Sequence, residues 1–511
     1  MEFSGALCLI GRRWTAGHLK NEALRMSVAE DFDLLIVGGT VIDGTRRPRY
    51  EADVGIRGGR IVAIGNLRGQ AAKTTLDASG KIVSPGFIDS HTHDDAAVLR
   101  LPSMDSKVSQ GVTTVVTGNC GVSIAPLRAD SPVPAPLNLL VPEKPQDGTS
   151  FQTFSDYVEA LRAAPCAVNV APMVGHTTLR ARTMADLSRT ATSAEISDMR
   201  ELLTEALNAG ALGISTGTAY PPAAAATTEE VIEVCRPLTG TGAVYATHMR
   251  NEADSSIESL EETFAIGKAL DVKVVVSHHK LMREQNFGKS TITLPFIRAA
   301  MKCQCVALDC YPYNASSTML HLAEDRLTGK IRIASSGTHP ELVGRELGDI
   351  AEEWGVSRSE ASKRLQPASA IYFSMDEHDV QRILAFDETM IGSDGLPTGE
   401  NPHPRLWGTF PRVLGHYSRT LGLFSLETAV WKMTGLTAQN FGIEQRGILE
   451  VGNHADVVVF DPNTVLDRAT YDNPKEPADG IDYVIVNGTV TWQQRAHLGA
   501  RNGTVITRTK R

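Results

Sequence analysis

The chain has 511 residues, with 50 Lys and Arg against 59 Asp and Glu, a formal net charge of -9. That length is too great for one small domain and ample for a barrel-sized core with an accessory module. The acidic balance supplies no basic field for nucleic acid or an anionic membrane, so neither is expected as a partner, and an anionic substrate has to be met by a few placed cations.

Residues 1–30 show no sustained pattern and read as an N-terminal extension, with Met26 a second candidate start. Arg12 and Arg13 cut short the apolar Ala6–Ile10 stretch, and no apolar run approaches the roughly 18 residues that span a bilayer. A cytoplasmic protein is expected. Seven cysteines without a scaffold-like spacing point to thiols or a metal ligand and not to a disulfide framework.

From Asp33 onward short apolar runs alternate with glycine turns: Leu34–Val37, Gly38-Gly39, Thr40–Ile42, Ala52–Ile56, Gly58-Gly59, Arg60–Ile64. The same idiom returns at Ala455–Phe460 and Tyr483–Val490. Residues 31–84 and 445–500 are therefore expected to form one small β module, a sandwich built from both ends of the chain.

Between them, within 85–444, eight strand-like runs alternate with helix-like ones: Phe87–Asp89, Val112–Val116, Val168–Val174, Ala211–Ser215, Val244–Thr247, Val272–Val276, Val306–Asp309 and Thr389–Gly392. Thr192 with Glu195 and Thr227 with Glu230 fit the capping box at helix starts, and Ile196, Met199, Leu203 and Leu207 recur at helical spacing. This alternation predicts an α/β fold, a (β/α)8 TIM barrel whose function sits at the C-terminal strand ends. An open doubly wound sheet is the alternative, but the first strand lacks a glycine-rich phosphate turn. The 76 positions from Tyr313 to Thr389 exceed the roughly 30 that a strand-to-strand return needs, so an insertion at about 314–375 is expected near the mouth, either as a lid or as surface elaboration.

Chemistry gathers behind the strands. The first ends in His91-Thr92-His93, two imidazoles on one strand face, suited to one metal ion or one pocket. The second leads to Gly118-Asn119-Cys120-Gly121, the fifth to His248-Met249-Arg250, the sixth to Ser277-His278-His279-Lys280 and the eighth to Ser393-Asp394-Gly395. Each residue alone has an ordinary explanation: Cys120 as a small buried apolar group, His248 or His278 as a satisfied core histidine, Asp394 as a turn former. Five strand ends in agreement argue otherwise.

Imidazole with one thiolate suits Zn²⁺, and three protein ligands with an open position is the catalytic arrangement. Cys120, His248 and His278 make such a set. His91 and His93 either hold a second ion, with Cys120 bridging, or serve as pocket groups around a single one. Zinc lowers the pKa of its water and polarises a carbonyl, and Asp394 is placed to take the proton and return it to a leaving group, which amounts to hydrolysis of an amide-like bond.

These motifs, with Pro85–His93 and Tyr311-Pro312-Tyr313, resemble the metal-dependent amidohydrolase superfamily, and more closely its D-aminoacylase branch, the N-acyl-D-amino-acid deacylases, which include N-acyl-D-glutamate deacylases. The likeness runs from about Asp33 to Trp492. Many members of the superfamily bridge two metals with a carboxylated lysine after the fourth strand; Gly213–Gly217 holds none, and Cys120 looks like its substitute. The resemblance implies one tight zinc on Cys120, His248 and His278, a weaker second site using His91 and His93, and Asp394 as general acid/base. It further implies that Lys280, Tyr311, Ser317 and Arg405 hold the carboxylate of a small-molecule substrate, an N-acyl-D-amino acid. Arg250 and Arg283 allow an acidic side chain, as in D-glutamate, with an apolar one the alternative. A cyclic-amide hydrolase of the dihydropyrimidinase or hydantoinase type is the alternative, and a non-catalytic binding protein on the same fold a further one.

Overall fold

The structure is a computed structural model that describes residues 31–128, 133–140 and 151–509. The expected extension over 1–30, Met26 included, lies outside the described residues. The chain is α/β, with five sheets among the described residues.

The parallel strands fall in two sheets. Asn169–Pro172, Val112–Thr117 and Phe87–Asp89 form one, and Val174–Gly175, Gly213–Gly217, Val244–His248, Lys273–Val276, Val306–Cys310 and Thr389–Ile391 form the other in that order. Their residues are almost wholly buried, as parallel strands covered on both faces must be, which explains the near-continuous Val, Ile and Ala runs. Backbone bonds join the two sheets at both margins: Ser90 N donates to Ile391 O at 3.3 Å, and Leu212 N donates to Pro172 O at 2.9 Å.

The run expected as one strand over Val168–Val174 is two. Pro172 has no N–H to continue a ladder, so the segment up to Pro172 pairs with Val112–Thr117 and the segment after Met173 pairs with Gly213–Gly217. One helix start matches the expected capping box in full, Thr192 with Glu195 ahead of Ser193–Ala209, and that helix buries Met199, Leu203 and Leu207. At Thr227 the box is half formed. Its hydroxyl accepts from Glu230 N at 3.1 Å, but the Glu230 carboxylate turns to the buried Arg180 and to Ala191 N instead. A buried guanidinium outcompetes a helix-start N–H for a carboxylate.

Strands from the two ends of the chain pair directly. Ile82–Pro85 runs antiparallel to Val457–Phe460 within a seven-stranded sheet, and a four-stranded sheet of Phe32–Val37, Asp53–Arg57, Arg60–Gly65 and Ala72–Asp77 shares an apolar core with it through Ile36, Val54, Val457 and Ile485. Between Tyr313 and Thr389 a three-stranded antiparallel sheet, Ser316–Met319, Ala368–Phe373 and Lys330–Ser336, packs on helices Leu347–Glu353 and Arg358–Leu365 around its own core. No helix among the described residues is long and apolar enough to cross a membrane.

Candidate active site

The C-terminal ends of the parallel strands deliver five donors to one place. His91 and His93 follow Phe87–Asp89, Cys120 follows Val112–Thr117, His248 ends Val244–His248, and His278 follows Lys273–Val276. Cys120 Sγ lies 3.2 Å from His91 Nε2 and 3.1 Å from His278 Nε2. The ligand atoms of His91, His93, Cys120 and Asp394 lie within 4.8 Å of one another, as do those of Cys120, His248 and His278. Cys120 is common to both groups.

Local backbone geometry aims these side chains. Cys120, His278 and Asp394 have φ of 54°, 35° and 48°, in the left-handed region that non-glycine residues seldom adopt. Such conformations persist only where surrounding bonds over-determine them. Around Cys120, Asn119 Nδ2 donates to Val116 O at 2.9 Å and Gly121 N donates to Ser215 Oγ at 2.8 Å. His278 N donates to Asp309 Oδ1 at 2.8 Å, and Asp394 N donates to His91 O at 2.8 Å. At Gly118, with φ 76°, an added Cβ would sit 2.0 Å from Met173 O, so the turn before Cys120 admits glycine alone. Of the paired histidines only His278 faces the site; His279 turns away to Thr293 Oγ1, 2.9 Å distant.

The donors are buried or nearly so, and neighbouring charges set their ionisation. Burial would raise the Cys120 thiol, but His278 and His91 beside it hold it well below its ordinary value. Burial would likewise raise Asp394, and it is overcome by Arg405 and His278, leaving that carboxyl well below the usual range. His93, despite burial, is pushed up to about 9 by Asp394 and Cys120. A thiolate and a carboxylate thus converge among imidazoles; the Nδ1 atoms of His93 and His248 have no hydrogen-bond partner, and His91 Nδ1 faces Asp309 Oδ1 at 3.3 Å. Two anionic donors with four imidazoles fit a borderline-soft divalent cation.

Three residues unnoticed in the sequence complete the constellation. Glu252 Oε1 accepts from Lys280 Nζ at 2.7 Å and lies 3.0 Å from His278 Nδ1, while its Oε2 lies 3.3 Å from His248 Nε2. Its position four residues after His248 was the available signal. The Tyr220 ring lies tilted against that of His248, centroids 4.8 Å apart and planes at 58°, and its hydroxyl is 3.1 Å from Thr318 Oγ1. Lys107, fully buried, contacts Asp89 at 2.8 Å, Ser393 Oγ at 2.9 Å and Asp94 at 3.2 Å, tying the first strand's end to that of the last.

The four expected substrate-binding residues are neighbours. The Arg405 guanidinium lies over the Tyr311 ring, 4.5 Å from its centroid, and Lys280 Nζ is 5.7 Å from the same centroid. Arg405 Nη2 donates to Ser317 O at 2.9 Å, Nη1 stands 2.8 Å from Asp394 Oδ2, and Nε has no partner. Lys280 is committed to Glu252 and His278, and the Tyr311 hydroxyl is 3.6 Å from Met375 Sδ. Arg250 is not the free cation its position suggested. Glu262 takes its Nε and Nη2 at 2.9 and 2.8 Å, and Ala224 O and Ala226 O accept from Nη1 and Nη2, both at 2.9 Å.

A cavity of about 890 Å³ opens beside this cluster, lined by His248, Lys280, Ser317 and Asp394 and also by Arg283, His321 and Arg326. A smaller one of about 360 Å³ shares Asp394, Tyr220, Ser317 and Thr318 with it.

The amidohydrolase family pattern matches residues 74–300 and 359–492. The chain belongs to the amidohydrolase family. Within it, the chain is 59% identical over 488 residues to a D-aminoacylase of Alcaligenes xylosoxydans xylosoxydans, covering 95% of this chain and all of that one. A solved D-aminoacylase with a binuclear metal centre aligns with a TM-score of 0.90 at 59% identity, over 93% of this chain and 100% of the other. An N-acyl-D-glutamate deacylase from Bordetella bronchiseptica, solved with zinc and a phosphonate mimic of the tetrahedral intermediate, aligns with a TM-score of 0.90 at 47% identity, over 94% of this chain and 100% of the other. A dihydropyrimidinase of Brevibacillus agri, at 17% identity and a TM-score of 0.59, shares the fold alone, so the cyclic-amide alternative is not favoured.

Proposed function

We propose that this amidohydrolase hydrolyses N-acyl-D-amino acids to a carboxylate and a free D-amino acid. The observation that carries the reading is Cys120 standing in two ligand groups at once while Gly213–Gly217 offers no lysine to bridge them. Cys120, His248 and His278 would hold a tight zinc, and His91, His93 and Asp394 with Cys120 a weaker second one. A zinc ion bound there supplies a Lewis acid for the scissile carbonyl and acidifies water near neutrality.

The remaining work falls to side chains. Asp394 Oδ1 accepts the proton of the attacking water and returns it to the departing nitrogen. Arg405, through its unpartnered Nε, meets the substrate α-carboxylate over the Tyr311 ring, with Ser317 beside it. Lys280 acts through Glu252 and His278 and adds positive potential near the carboxylate. Closure of the two parallel sheets into one eight-stranded (β/α)8 barrel belongs to the same proposal and is supported by the bonds at both margins, as is a β-sandwich from the two terminal sheets over their shared core.

An acidic side chain on the substrate is a second reading, favoured by Arg283 and Arg326, which line the larger cavity. Arg283 stands 3.6 Å from Asp254 and 3.5 Å from Asp325, beyond good hydrogen-bond range, so it retains donors for a ligand. The deciding experiment is hydrolysis of N-acetyl derivatives of D- and L-leucine and D- and L-glutamate by zinc-loaded protein. Turnover confined to the D series supports the reading, equal turnover of both hands or of neither defeats it, and the glutamate-to-leucine ratio decides the side chain.

A further inference from the structure

Asp309 stands behind both ligand groups. It lies on Val306–Cys310, beside the strand Lys273–Val276 that leads to His278, and is 1% exposed. Its Oδ1 accepts from His278 N at 2.8 Å and lies 3.3 Å from His91 Nδ1. One carboxylate oxygen thus touches the backbone of a ligand from the group of Cys120, His248 and His278 and the ring of a ligand from the group of His91, His93, Cys120 and Asp394. The other oxygen, Oδ2, has no hydrogen-bond partner among the described residues.

We propose that Asp309 is a positioning residue for the second metal, setting that site's affinity by orienting and polarising His91, while its contact with His278 serves only to hold a turn. The proposal rests on the two-group metal reading above and deepens it. The two contacts differ in kind. His278 N is a neutral amide, and its bond to Oδ1, together with that of His279 N to Asp309 O at 2.8 Å, holds the turn in which His278 has φ 35°. Any oxygen in that place would accept it. His91 instead presents an imidazole whose far nitrogen, Nε2, faces Cys120 Sγ at 3.2 Å and Asp394 Oδ1 at 3.6 Å. An imidazole that donates its Nδ1–H to a carboxylate offers a metal a fixed Nε2 lone pair and greater basicity, so here the charge matters. The Nδ1 contact as it stands is short but not aligned as a hydrogen bond, and a small turn of the ring settles it on Oδ1 or on the unpartnered Oδ2. Glu252 already stands behind His248 and His278, and Asp309 is the carboxylate that faces Nδ1 of His91.

The test measures the zinc dissociation constants of both sites, by competition with chelators of graded affinity, in the wild type and Asp309→Asn. Asparagine keeps the shape and an oxygen for His278 N but removes the charge. The weaker constant should rise about 10- to 100-fold, and the tighter one should stay nearly unchanged. A merely structural role would move both constants together or neither, and either result would overturn the proposal. So would a wild type that holds a single zinc per chain. Deacylation is scored separately. Two zinc classes with the expected split but no turnover of any N-acetyl-D-amino acid would leave the inference standing and defeat the substrate reading, whereas turnover without the split would do the reverse. Should Asp309→Asn not fold, the wild-type protein decides. Adding the second zinc should bring up a slowly exchanging downfield imidazole N–H proton resonance that His91→Ala lacks, and its absence would overturn the assignment.

Discussion

Asp394 Oδ2 lies 2.8 Å from Arg405 Nη1, both side chains buried, so the proposed proton acceptor and the proposed carboxylate anchor form one ion pair. In the proposed mechanism the guanidinium has two jobs. It stabilises the ionised form of Asp394, and its unpartnered Nε is offered to the substrate.

Arg405→Ala should raise KM for carboxylate-bearing substrates by the equivalent of about 1.5 to 3 kcal/mol, the range for a charge-assisted contact. It should also slow an N-acyl amine that lacks the carboxylate, because Asp394 loses its partner. The pH profile separates the two effects. Burial alone would raise Asp394, and Arg405 is the largest influence lowering it. Activity that needs the ionised carboxylate is present above its pKa and lost as pH falls through it, so removing Arg405 should shift the acidic limb of kcat to higher pH. An unmoved limb would mean that the pair does not set the charge of Asp394.

Asp394→Asn should retain metal on Cys120, His248 and His278 and lose roughly 10²- to 10⁴-fold in kcat, the usual contribution of a positioned proton-transfer group. Metal analysis of the purified variant alongside steady-state kinetics checks both halves. Near-normal kcat would remove Asp394 from the mechanism.

Cys120→Ala should deplete metal from both ligand groups, since its sulfur is the member they share, whereas His93→Ala should affect only one of them. The measurement is bound zinc per chain after dialysis. Equal losses in the two variants would refute the sharing.

Glu252→Gln should weaken metal affinity about 10- to 100-fold, the typical effect of removing a group that orients a metal-ligating histidine. The carboxylate touches Lys280, His278 and His248 and is itself held well below its ordinary value by Lys280 and the imidazoles despite burial. Competition with a chelator of known affinity reads the effect without recourse to activity.

Lys107→Met should destabilise the fold by about 3 to 5 kcal/mol, because it strands Asp89 and Asp94 as buried carboxyls without their cation. Urea unfolding measures it. Adding Asp89→Asn should recover part of the loss, and a double variant weaker than the single would show that Asp89 is held by its hydrogen bonds to Ser393 N and not by the charge of Lys107.

The sequence by itself determined the alternation of strands and helices and singled out the candidate donors that the fold brings together. Both are written locally: apolar runs of strand length, with His91, His93, Cys120, His248, His278 and Asp394 each just beyond such a run. Family membership was legible for the same reason, since the Asn-Cys-Gly and Ser-His-His-Lys motifs are contiguous. What only the tertiary structure decided is how charge is shared between distant segments. Lys107 meets Ser393 across 286 residues, and Arg405 reaches back 88 residues to Ser317 O. Arg250 looked available for an acidic substrate until Glu262, on the following helix, proved to hold it. Glu230, expected to cap its own helix, serves Arg180 instead. A buried charge is satisfied by whichever opposite group the fold brings within hydrogen-bond distance, and burial makes that choice strong. Sequence spacing carries no record of it, because the partners become neighbours only once the chain has closed around them.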